Sequence, residues 1–77
     1  MYDIVAVSWV DTMNSNGWDT IAETVEMEPA PVVTVGFLIK KTKDKVVVAH
    51  GLSGDSALGA TVIPAAWVKS IDVLRAA

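Results

Sequence analysis

Seventy-seven residues with no cysteine and a formal charge of −3 leave room for one domain, residues 1–77, and exclude disulfides and thiolate metal sites. The acidic balance argues against a general affinity for duplex nucleic acid. A chain this short buries only roughly 60% of its unfolded surface, and 52% of its residues are hydrophobic, so apolar surface shared with another copy is the expected source of extra stability.

Ile4 to Trp9 alternates Val5, Val7 and Trp9 against Ala6 and Ser8, which predicts a first strand with one buried face. Asn14-Ser15-Asn16-Gly17 favours turns and caps, and Trp18, Ile21, Ala22 and Val25 follow at helical spacing. The expectation there is a short amphipathic helix whose other face carries Asp19, Glu23 and Glu26, ending before Pro29. Glu28-Pro29-Ala30-Pro31 is a stiff connector into Val32–Ile39, where Val33, Val35, Phe37 and Ile39 share one face and Gly36 lies on the other, allowing a bend or a close neighbour. Lys41-Thr42-Lys43-Asp44 reads as a hairpin tip and Lys45–His50 as the third strand. A glycine-bearing loop, Gly51–Ser56, leads to a fourth strand near Leu58–Ile63. Pro64 ends that pairing, Ala65-Ala66 fits a single 3₁₀-type turn, and Lys69–Leu74 completes a fifth strand. The expected core is Val33, Val35, Phe37, Ile39, Val48, Val62, Val68 and Ile71, with the helix over one open end, so that Val35→Asp should prevent folding.

The segment Ile63-Pro64-Ala65-Ala66-Trp67-Val68 resembles the Pro-x-x-aromatic-Val turn before the last strand of Src-homology-3 and related small barrels. The fold this implies is mainly β, a small bent-sheet (Src-homology-3/Sm-like) barrel of about five strands with one short helix after the first strand. The chain also resembles a group of small proteins encoded by tailed bacteriophages and largely of unassigned function. The matching residues are Trp9 and Asp11, Gly17-Trp18, Pro29, Thr34-Val35-Gly36, Val46–Ala49, Ile63-Pro64, Trp67-Val68 and Ile71. This second resemblance implies a viral origin more than a mechanism.

His50, Ser53 and Asp55 include the residue types of a hydrolytic triad, but they crowd one loop without the strand-turn-helix elbow that presents a nucleophile. The expectation is no enzyme. One histidine and scattered carboxylates lack the ligand spacing of zinc or calcium sites, and Gly51, Gly54 and Gly59 precede no Gly-Lys-Ser/Thr, so no metal or cofactor is expected.

Trp9 and Trp18 read as core residues, whereas Trp67 stays open between the core and a surface groove: the following Val68 takes the inward position, and the small-barrel resemblance implies a groove for such an aromatic. Lys40, Lys41, Lys43 and Lys45 make up four of the six basic residues. They read as a solvated hairpin guarding a sheet edge, or, when repeated in an oligomer, as a phosphate-binding surface. The reading that follows is a non-catalytic, homo-oligomeric, phage-type binding protein capturing a ligand or host component at a subunit interface; an anionic, nucleotide-like small molecule is one such target, with Lys40, Lys41, Lys43, Lys45 and Trp67 as its candidate binding residues. Its competitors are an adaptor that blocks or redirects a host protein through Glu23, Glu26 and Trp67, and a virion or assembly component. No apolar run approaches the ~20 residues of a membrane span, and Met1-Tyr2-Asp3 lacks the basic region of a signal peptide, so the expected location is the cytoplasm of a bacterial host.

Overall fold

In the computed structural model, which describes residues 1–77, the alternating N-terminal segment lies inside the sheet as β1 (Ile4–Asp11). β2 (Ala30–Lys41) flanks it on one side and β5 (Val68–Arg75) on the other, both antiparallel. β3 (Lys45–Ser53) pairs with the C-terminal part of β2, and β4 (Ser56–Pro64) pairs with β3. The result is one five-stranded sheet in the order β4-β3-β2-β1-β5. A five-residue helix, α1 (Ile21–Val25), stands between β1 and β2, and a 3₁₀ turn at Ala65–Trp67 joins β4 to β5. The fold is mainly β, as the alternation predicts. It is not a closed barrel, since β4 and β5 share no ladder.

β2 is the strand on which the sheet folds over. From Ala30 to Gly36 it pairs with β1 alone, and Phe37 is the residue with partners on both sides, Ile4 and Ala49. Pro31 is tolerated because the edge of β2 facing away from β1 has no partner at that point. At Gly36 a side chain would run into the Ala49 carbonyl oxygen and come within 2.8 Å of Val48 Cγ1. Only glycine lets β3 approach so closely, which is where the strand hands over from one neighbour to the next.

The fold-over brings Val5 and Val7 of one half against Val46, Val48 and Ile63 of the other, and Trp9, Leu38, Val68 and Ile71 pack around them. The expected Val48, Val68 and Ile71 are therefore in or against the core. Val33, Val35 and Val62 are not: they are 65%, 48% and 60% exposed. Register explains the correction. Residues opposed in an antiparallel pair share a face, and buried Val7 and Val5 stand opposite Thr34 and Gly36, which turns those two inward and Val33 and Val35 outward. Phe37 and Ile39 are half-buried, Ile39 falling at an irregularity in the β2–β3 pairing. Gly36 lies on the core face, opposite to expectation, although the close neighbour predicted for it is present.

Two further expectations need correcting. The loop drawn over Gly51–Ser56 is mostly strand, because Gly51, Leu52 and Ser53 pair with Leu58, Ala57 and Ser56 around a two-residue turn. Gly54 adopts φ +58 there, the positive value that such a tight hairpin needs at its first position. The helix covers nothing. Its start is well specified, Thr20 accepting from the Glu23 amide (3.1 Å) while the Glu23 carboxylate accepts from the Thr20 amide (3.4 Å). Yet no residue of α1 is buried, and Trp18, Ile21 and Val25 are 104%, 85% and 71% exposed. Trp18 is thus not a core residue.

A candidate ligand-binding surface around the 3₁₀ turn

Pro64, with φ −56, ends the β4 ladder, and the Ala65 amide donates to the Asp44 carbonyl (2.9 Å), pinning the turn against the β2–β3 hairpin. That hairpin tip is itself braced. Thr42 Oγ1 accepts from the amides of Asp44 (3.2 Å) and Lys45 (3.1 Å), and the Thr42 amide donates to the Lys45 carbonyl (2.9 Å). The lysines on either side of it are therefore carried on ordered backbone.

Trp67 closes the turn and lies on Trp9, with ring centroids 6.4 Å apart and planes 13° from parallel, an offset stack of the favourable kind. Trp9 is fixed from behind by its indole N–H, which donates to Thr34 Oγ1 at 3.0 Å. Trp67 remains 38% exposed. A flat apolar face is thereby held in place at the surface, the groove side of the two positions left open for this residue.

Two hollows flank the turn. One, about 250 Å³, is lined by Trp67, Asp11, Thr12, Pro29 and Lys69 among others. The other, about 310 Å³, lies toward the hairpin between Lys41, Thr42, Val46, Ala65, Val68 and Ile71. Lys41 stands opposite inward-facing Val46 and so reaches this side of the sheet. Lys40 and Lys45 stand opposite Val47 and Pro64 and belong to the outer face, and Lys43 is exposed at the tip. The four lysines are therefore divided between two faces, and only Lys41 shares the turn with Trp67. Glu23 and Glu26 sit apart on α1, the first engaged in the cap and the second ending the helix. Sequence reasoning missed Lys69 and Asp11; the two-residue alternation from Trp67 to Lys69 was the available signal. A third cavity, about 380 Å³ beside Ile4, Phe37 and Arg75, holds none of the expected ligand- or partner-binding residues.

The side chains present suit recognition of an anion attached to a flat ring. Lys41 and Lys69 supply positive charge, Trp67 a stacking face, and the Asp11 carboxylate an acceptor already oriented by the Thr12 amide (2.8 Å). No three His, Asp or Glu side chains converge as a metal cage. His50 lies against Gly59, while Ser53 pairs with Ser56 and Asp55 accepts from Ser56 Oγ (3.4 Å), so the three residue types of a triad are not joined. No helix is long and apolar enough to cross a membrane. No protein-family profile matches this chain, and no curated protein or solved structure shows a significant similarity to it.

Proposed function

We propose that this chain is a non-catalytic, homo-oligomeric binding protein of phage type, acting in the cytoplasm of a bacterial host, that captures a small anionic, nucleotide-like ligand beside Trp67. The observation that carries the reading is the Trp9–Trp67 stack, which presents an exposed indole face in the hollow that also holds Lys69, with Lys41 in a second hollow across the 3₁₀ turn. Stacking on a base tolerates many ring types, and two lysines select for phosphate. The strand order and the 3₁₀ turn before the last strand support reading the sheet as an open variant of the Src-homology-3/Sm-like type.

A thermal-shift and calorimetric screen of nucleotides, including cyclic dinucleotides and adenosine diphosphate ribose derivatives, tests it. Binding should weaken with salt, fall by ~1–3 kcal/mol on Trp67→Ala, and vanish when Lys41 and Lys69 are both changed to glutamate. The melting temperature of the double variant should hardly move, because exposed charges contribute little to stability. A second reading, an adaptor that engages a host protein, is favoured by the exposed acidic helix with Glu23 and Glu26. A null ligand screen combined with one stoichiometric host protein, lost on Trp67→Ala or on substitution of Glu26, would select it.

A further inference from the structure

Two apolar surfaces of this chain face solvent and do not meet each other. The first is the stripe of Trp18, Ile21 and Val25 on the arm, residues 12–29, that leaves the sheet at the Asp11–Ala30 pair. The second is the outer face of the sheet, where Val62 is 60% exposed and stands opposite Val47, which in turn stands opposite Lys40, with Lys45 opposite Pro64 beside it. An isolated helix of five residues is not stable in water, however good its cap. The α1 stripe therefore requires a surface to lie on, and Trp18 alone offers roughly 200 Å² to it.

Charge says which surface. Residues 12–29 carry Asp19, Glu23, Glu26 and Glu28 and no basic residue, a charge of −4; the rest of the chain, with all six basic residues and the other five acidic ones, stands at +1, and together they give −3. The positive charge is concentrated on the β2–β3 hairpin, and Lys40 and Lys45 flank the very face that exposes Val62. We propose that the arm of one copy docks on the outer face of the β2–β3–β4 sheet of a second copy, Trp18, Ile21 and Val25 covering Val47 and Val62 while Asp19 and Glu26 meet Lys40 and Lys45. Each copy has one arm and one receiving face, so the exchange is reciprocal in a two-fold pair or continues around a ring. The docking leaves Lys41, Lys69 and Trp67 free for the ligand, and it rests on the oligomeric reading above.

Sedimentation velocity with circular dichroism on the full chain tests the proposal. Ile21→Glu with Val25→Glu should keep the strand signal and give monomer, because the arm contributes no buried residue to its own sheet. Asp19→Lys with Glu26→Lys, and separately Lys40→Glu with Lys45→Glu, should each weaken association roughly tenfold or more at low salt, and an equimolar mixture of the two double variants should recover it. As the chain has no cysteine, mixing an Ile21→Cys chain with a Val62→Cys chain should yield a covalent pair under oxidation. An unaltered oligomer in the Ile21→Glu/Val25→Glu variant, or an internal disulfide in a monomeric chain carrying both cysteines, would overturn the arm exchange while leaving the oligomeric binding site standing. A wild-type chain that is monomeric throughout would overturn both.

Discussion

Gly36 and Val35 are neighbours with opposite roles. A side chain at Gly36 meets the Ala49 carbonyl and Val48, backbone and packed core that have nowhere to move, so Gly36→Val should cost more than ~3 kcal/mol or abolish folding. Val35 is half exposed on the outer face, and Val35→Asp should retain a cooperative urea transition. The charge that does prevent folding belongs at buried Val48. Truncating fully buried Ile63 to alanine should cost ~2–5 kcal/mol in the same assay. Trp9→Phe removes the hydrogen bond to Thr34 and should cost about 1 kcal/mol, and the emission of Trp67 should change with it because its stacking partner has changed. A Gly36→Val chain as stable as the parent would mean that β2 and β3 do not approach as described.

At the scale of elements, the strands were legible and the phase of one of them was not. β1 alternates apolar with small or polar residues, so its buried face could be named from Val5, Val7 and Trp9. β2 reads Val32-Val33-Thr34-Val35, apolar in either phase, and only its register against β1 and the crowding at Gly36 turn Thr34 inward. Glycine, serine and aspartate between Gly51 and Ser56 disguised a paired hairpin as a loop, since pairing with Leu58 and Ala57 is a tertiary fact. The apolar stripe of α1 was plain from its spacing, but spacing does not say what covers a stripe. The proline turn left Trp67 open between core and groove, and its stacking on Trp9, nearly sixty residues earlier, is a tertiary fact that spacing does not carry. The cap of α1 gives a prediction of its own. Thr20→Ala should destabilise that helix by ~1 kcal/mol, seen as faster amide exchange in the arm and as weaker association in sedimentation, with the strand signal of the sheet retained. Loss of the strand signal would mean that the arm packs on its own sheet within one chain.

The whole molecule has a small core for its length. Five large side chains are fully enclosed, there is no disulfide and no cluster of three metal-ligating side chains to add to them, and apolar residues remain on both the arm and the outer sheet face. Association of the proposed kind would add burial that this core does not supply. The proposed oligomer would also repeat the Trp67 surface and so offer a small ligand several contacts. Native mass spectrometry of the protein purified gently from cells reads both properties at once. The account predicts an oligomer carrying an anionic small molecule in fixed ratio, with the oligomer kept and the ligand lost in Trp67→Ala. A bare monomer at micromolar concentration, or an oligomer whose bound molecule is indifferent to Trp67, Lys41 and Lys69, would contradict it.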